Sequence, residues 1–466
     1  MASIEKIFFG SLTRSPVTPV EKEVLQDLIE TLSNTGSQFC CGGTIQLLSE
    51  QKLSLTYNAG ASGLANILEL PSTDLDAITK LIDACAPSSH GRGGETVYDE
   101  SYRLARELPQ GGFSLTTEIL SESDVLASIS PLTSSRAPNE GLVARLYKLN
   151  AYATGGFFKP HRDTPKSDRH IGTLVVVLPI PFEGGALLVS HGGKQVQFDW
   201  SKSKPGLGAQ DKVSLPWAFL FSDVEHEVLP VTSGTRVTLA YDIFTSEGAQ
   251  LMGLSRMDGA TVPLYADLEN ALNNKDFLPQ GGKVGVALSH AYPVKTHGTS
   301  NAFASLLKGS DAVLHCVLSA LHVPMEILAV YWCDDEDSYY TSRRHANKDA
   351  VGVPDDGFGA TRIANRRPWF SFRFRPTPQV LYTSIPVQPR EYQIRWEDGP
   401  TAFLKTEYNA CIATDIIWVR KPADDTFSHS AHYIAYGNEA EQATVYAAAA
   451  FIIDIPAIGI FPRNSL

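Results

Sequence analysis

Cysteine is scarce in this chain and never patterned. Six are spread over 466 residues (Cys40, Cys41, Cys85, Cys316, Cys333 and Cys411), and no two form a CxxC pair. That spacing gives no zinc ribbon and no disulfide framework, so free thiols in a reducing, cytoplasmic compartment are expected. Long apolar runs are missing as well. No stretch approaches the roughly 18 apolar residues of a spanning helix. The opening MASIEKIFFGSLTRS has no extended apolar core after a basic start, so neither a membrane span nor a signal peptide is expected. Positive charge is in deficit: 39 Lys and Arg against 51 Asp and Glu leave a net charge of -12, which argues against non-specific nucleic-acid binding. GxSxG, GxGxxG and GxxxxGK[ST] are all lacking, which removes the usual grounds for a hydrolase or a nucleotide site.

What is present changes character along the chain. Residues 1–135 mix helix and strand. Val24, Leu25, Leu28 and Leu32 fall on one helical face. TIQLL and KLSLTYNA alternate like the two strands of a hairpin, and a second helix is expected from a Ser72 or Thr73 cap, with Leu75, Ile78, Ile82 and Cys85 on one side. The glycine-rich SSHGRGGE carries His90 and Arg92 and leads into an expected helix, as either a substrate-covering loop or an ordinary structural turn. From 141 to 245 the chain reads as short strands between Gly- and Pro-rich turns, which suggests a β-sandwich, jelly roll or barrel. Beyond 250 it is mixed again, with a helix expected from Ala302 to His322 that Gly309 weakens in its middle. This gives three regions: 1–135, a β-rich 136–250, and a C-terminal lobe 251–466.

Chemistry concentrates in YATGGFFKPHRDTP. His161 and Asp163 are two apart, so on a strand both could face one ion while Arg162 faces away. His226 follows 63 residues after Asp163, inside the same β-rich segment, and could supply a third ligand. Two histidines and one carboxylate leave coordination positions open, which suits non-haem Fe(II) oxygenases. Ten residues beyond His226, Arg236 shares a strand face with Thr238. A cation there is expensive unless paired, and the pair could hold the far carboxylate of 2-oxoglutarate, since the guanidinium binds carboxylate bidentately. An internal ion pair is the plainer alternative.

The ordered set Tyr152, Gly155-Gly156, Phe158, His161, Asp163, Gly184-Gly185, Leu187, His226 and Arg236 resembles the prolyl 4-hydroxylase branch of the 2-oxoglutarate oxygenases, over about 100 residues. The chain also looks like a group of fungal proteins with long C-terminal extensions. The resemblance implies an α+β protein with a double-stranded β-helix (jelly-roll or cupin-like) core, packed by N-terminal helices. It implies Fe(II) on His161, Asp163 and His226, with Arg236 and Thr238 on the 2-oxoglutarate carboxylate and Tyr147 or Tyr152 lining that pocket. Collagen-type members place lysine where Arg236 stands, which weakens the inference of a collagen-like substrate. Because Asp163 fills the position that halogenases of this superfamily leave to chloride, hydroxylation with O2 is the outcome implied. For the C-terminal lobe it allows a degenerate second β-helix or an unrelated α/β extension.

His170 and His191 lack a carboxylate two residues on and are not expected to be ligands, and His429 and His432 are expected in a polar loop. Lys159, Arg162, Lys166 and Arg169 form a basic run that would either be solvated or meet an acidic group of the substrate, with His90 and Arg92 as further substrate candidates. Three functions follow: an oxygenase of a small molecule, a hydroxylase of a protein side chain, or an inactive binding protein that keeps the barrel.

Overall fold

The computed structural model describes residues 18–34, 39–47, 53–58, 65–92, 95–133 except 122, 140–201 except 168, 213–247, 259–295, 307–333, 379–383, 411–412, 416–420, 444–447, 449–460 and 463. Between 140 and 247, eight of ten strands are shared between two antiparallel sheets, and Phe182–Gly184 and Val231–Gly234 pair separately. Glu140–Tyr152, His170–Val177, Val213–Phe221 and Arg236–Glu247 form the middle of one sheet. Phe157–His161, Leu187–His191, Lys194–Phe198 and Glu225–Val228 form most of the other. Passing from sheet to sheet in this way winds a double-stranded β-helix, whose interior the two inner faces share.

Burial explains why these strands read as near-continuous apolar runs. Leu174, Val176, Leu215, Phe219, Phe221, Leu239 and Ile243 are fully buried. The larger sheet is covered on its outer face by elements such as the helix Val125–Ile129, so both faces of its strands are apolar. The N-terminal region supplies strands to the same sheets. Cys40–Leu47 pairs with Val213–Phe221 at one edge, and toward the other Arg106–Pro109 pairs with Glu140–Tyr152 and then with Ala86–Pro87.

Several local expectations change. Cys40–Leu47 and Leu53–Asn58 are strands but not a hairpin: the first joins the β-helix, the second pairs with Ala65–Leu70 and Phe113–Leu115. Local alternation cannot distinguish a neighbouring partner from a distant one. The helix Leu75–Ala84 is capped by Asp74, whose carboxylate accepts from the Asp76 and Ala77 amides, rather than by Ser72 or Thr73. Its buried face is Ile78 and Leu81, while Leu75, at its first position, is exposed. His90–Arg92 and Glu95–Val97 pair as a short hairpin, and no helix follows it. Gly309 opens the helix Gly309–Ala320 instead of interrupting one, with φ of +49°. The segment 301–306, where that helix was expected to begin, lies outside the described residues.

The helix Pro19–Asn34 buries Leu25, Leu28 and Leu32 as its periodicity implies. Its neighbour is the helix Pro263–Asn273 of the C-terminal lobe, with Thr31 Oγ1 donating to Asp267. That lobe holds a six-stranded sheet in the order Cys411–Ile412, Gln379–Thr383, Met325–Cys333, Ala449–Ile455, Gly282–Ala287, Ile416–Arg420. Its final pair is parallel and the others antiparallel. Both expectations for this lobe concern segments largely outside the described residues, and so do His429 and His432. Among the described residues, no helix is long and apolar enough to cross a membrane.

Candidate active site

His161 ends the strand Phe157–His161 and lies directly opposite His226 on the neighbouring strand Glu225–Val228. Asp163 falls two residues beyond the strand end, so the two-residue strand period is not what aims it. Its amide donates to Ser222 O at 3.1 Å, and its carboxylate accepts from Thr173 Oγ1. His161 Nδ1 lies 2.8 Å from Lys159 O and His226 Nδ1 lies 3.0 Å from Val224 O. A carbonyl only accepts, so both Nδ1 atoms carry the proton and both Nε2 atoms keep their lone pairs. His226 Nε2 is 3.8 Å from Asp163 Oδ1, and one donor atom from each of the three residues lies within 4.8 Å of the others. All three are buried. Desolvation, and then the neighbouring His226, hold His161 well below its ordinary pKa, in the neutral form a metal needs. This donor set fits one divalent ion with positions left open.

Arg236 starts the strand Arg236–Glu247, opposite Tyr152, with Thr238 opposite Asn150 on the same face. It is 1 % exposed, between the rings of Tyr152 (5.3 Å) and Trp200 (5.6 Å). Its Nε–H meets no acceptor, and among the described residues no carboxylate pairs with it. The alternative of an internal ion pair therefore finds no support there. Burial lowers its pKa to about 10, which still leaves it charged at neutral pH. A buried cation without a counter-ion costs several kcal/mol by order of magnitude, so the position is built for an incoming anion. Gly185 makes room for it: with φ of +63°, a Cβ there would sit 2.9 Å from Arg236 Cδ.

Of the two tyrosines considered, Tyr152 is the one beside Arg236. Tyr147 sits at a register shift in its strand, with its ring against the ammonium groups of Lys148 and Lys166. Other polar side chains near the metal ligands carry no sequence signature. Thr173, the one hydroxyl in the apolar run HIGTLVVV, could have been noticed for that reason. Lys148 and Arg103 share Glu107, and Arg103 also donates to Asn150 and lies over the Phe158 ring, which stacks on His161 at 3.5 Å. Lys166 turns inward to Asp242 at 2.8 Å, while Lys159 and Arg169 are exposed. Only part of the basic run is therefore solvated. Arg162 is half-buried and close enough to His191 to help lower that ring's pKa. His90 is buried against Tyr102 rather than presented on a loop, and Arg92 lies in the strand His90–Arg92.

A second cluster, His191, Asp223 and His290, repeats the residue types of the first. Here Asp223 is already saturated. Lys308 Nζ donates to Oδ1 at 2.8 Å, and His290 Nδ1 and the Ala291 amide donate to Oδ2 at 3.0 and 2.9 Å. Burial alone would raise the Asp223 pKa, but Lys308 and His290 outweigh it and hold the carboxyl well below its ordinary range. As arranged, this is an ion-pair joint between the β-helix and the C-terminal lobe. The described free cysteines offer no alternative centre: burial raises Cys40, Cys41 and Cys85 to about 12.

Residues 147–241 match the family model of the 2OG-Fe(II) oxygenase superfamily, and the His161, Asp163 and His226 set lies inside the matched segment. The match implies Fe(II), 2-oxoglutarate and O2 as cofactor and cosubstrates, and the donor set of the site fits the metal. Among solved structures, the chain is similar to a prolyl-4-hydroxylase from Pseudomonas putida, at 18% identity over 47% of this chain and 99% of that one, with a TM-score of 0.25. It is similar to a 2OG-Fe(II) oxygenase family oxidoreductase from Burkholderia pseudomallei, at 16% identity over 49% and 94%, with a TM-score of 0.24. A prolyl hydroxylase from Trichoplax adhaerens, in complex with a hypoxia inducible factor peptide fragment, matches at 15% identity over 49% and 94%, with a TM-score of 0.25. No curated protein matches.

Proposed function

We propose that this oxygenase hydroxylates a polar organic molecule, with His161, Asp163 and His226 holding Fe(II) and Arg236, Thr238 and Tyr152 holding 2-oxoglutarate. The observation that carries this reading is the buried, uncompensated Arg236 on the same inner surface as the His–Asp–His set. The third possibility, an inactive barrel, has no support in a site with all four groups in place. When bound, the metal and its cosubstrates supply the oxidising power, as 2-oxoglutarate is decarboxylated to succinate and CO2. The chain's own residues do the rest. Arg236 and Thr238 fix the far carboxylate, Tyr152 and Trp200 wall that end off from water, and Thr173 orients Asp163.

The proposal of a small polar substrate rests on the lining toward Asp242. The strand face that begins with Arg236 and Thr238 continues through Ala240 to Asp242, which holds Lys166 and has His170 Nε2 at 3.7 Å. That ring nitrogen is buried and has no hydrogen-bond partner among the described residues. A prolyl or other side chain of a protein is the competing substrate, with the half-buried Arg162 as an outer contact. We also propose three regions, 1–135, 136–250 and 251–466, with the first lending strands to the β-helix.

Anaerobic titration with Fe(II) and 2-oxoglutarate tests the reading through their charge-transfer band. The wild type should show the band and His226→Ala should lose it. Arg236→Ala should need roughly 30-fold more 2-oxoglutarate or beyond, as for truncating one partner of a buried charge pair. A folded, metal-loaded wild type without the band would overturn it. Succinate release with small polar acids and amines, set against proline-containing peptides, then separates the two substrate classes.

A further inference from the structure

We infer that Lys308 and His290 of the C-terminal lobe are positioning residues for the metal site, acting through Asp223 on the turn that aims two of its ligands. The inference rests on the assignment of His161, Asp163 and His226 as that site. Three consecutive residues of the turn each do separate work. The Ser222 carbonyl accepts the Asp163 amide at 3.1 Å, and the Val224 carbonyl accepts His226 Nδ1–H at 3.0 Å. Between them, the Asp223 side chain points away to the other lobe, where three donors hold it. Displacing Asp223 therefore shifts the two carbonyls that set the direction of one carboxylate and one imidazole.

The lobe's side of this contact is itself braced. Lys308 is fully buried, and its amide donates to Tyr292 Oη at 3.1 Å. Asp311 accepts from the Ser289 and His290 amides, from Tyr292 Oη and from Arg420, which fixes the segment carrying His290. Ring packing completes the joint: the His191 ring, from the β-helix, stacks on His290 at 4.4 Å and 7°. Such outer partners of metal ligands typically govern affinity by about 10- to 100-fold. The C-terminal lobe is thereby part of what makes the β-helix bind metal.

The experiment uses the full chain and Co(II) as a spectroscopic probe of affinity and ligand geometry, with thermal unfolding followed in parallel. Lys308→Met strands the Asp223 charge and should weaken Co(II) binding by about 10- to 100-fold and alter its visible spectrum. Asp223→Leu combined with Lys308→Met removes both charges, so stability should return toward wild type. Co(II) binding should stay weak in that double variant, because nothing then holds the turn, and a purely structural ion pair would not give this split. Wild-type Co(II) affinity and spectrum in the double variant, or in folded Lys308→Met, would overturn the inference. If Lys308→Met does not fold, the double variant decides alone. Failure of the wild type to bind Co(II) would overturn the metal-site assignment, and this inference with it.

Discussion

Among the described residues lie two His–Asp–His clusters, and of these two one is arranged to hold a metal. In His161, Asp163 and His226, both imidazoles turn their lone pairs inward and the carboxylate keeps Oδ1 directed at His226. In His191, Asp223 and His290, the carboxylate faces a lysine that is wholly buried. A metal there would have to displace an ammonium group that has no route to water, at a cost of several kcal/mol by order of magnitude. Residue type thus nominates a metal site, and the protonation and occupancy of its lone pairs select one.

The largest expected effect comes from breaking this comparison directly. His226→Ala should abolish Fe(II) binding, and with it at least roughly a thousandfold of turnover, since one of the three protein ligands is lost. His191→Ala should leave Fe(II) affinity within about fivefold, because only a ring stack worth about 1 kcal/mol is removed. Equilibrium dialysis with metal analysis distinguishes the two, and equal losses would end the distinction between the clusters. A smaller effect should follow from Thr173→Val, which keeps the shape of the strand but removes the donor to Asp163. Fe(II) affinity should fall by about tenfold, with little change in the 2-oxoglutarate requirement. A raised 2-oxoglutarate requirement instead would place Thr173 in the cosubstrate pocket.

The smallest effect is a pH dependence of the metal-free protein. Burial holds His161, His170 and His191 below the ordinary 6.5, His191 at about 4. The unfolded chain takes up protons on these rings as pH falls through 6.5, and the folded chain resists. Their contribution is therefore complete above about pH 6.5 and is lost progressively below it. The urea midpoint should drop between pH 7.5 and 5.5. An unchanged midpoint would mean that these rings are not held neutral.

Much of the site was legible in the linear chain because its signals are local or have fixed spacing. His161 and Asp163 share one short motif, and Arg236 and Thr238 are two apart in a β-rich segment and lie on one strand face. Alternation and glycine-rich turns likewise marked 141–245 as a β-structure. Tertiary structure decided what depends on distant partners. Asp163 is aimed by Ser222 and Thr173, 59 and ten residues away, rather than by strand period. Cys40–Leu47 pairs with a strand more than 160 residues on, which hairpin-like alternation cannot reveal. His191 and Asp223 became a joint rather than a centre only because folding brings Lys308 and His290 onto the carboxylate. Sequence sets which side chains can donate or accept, whereas the packed fold determines which lone pairs are left to bind.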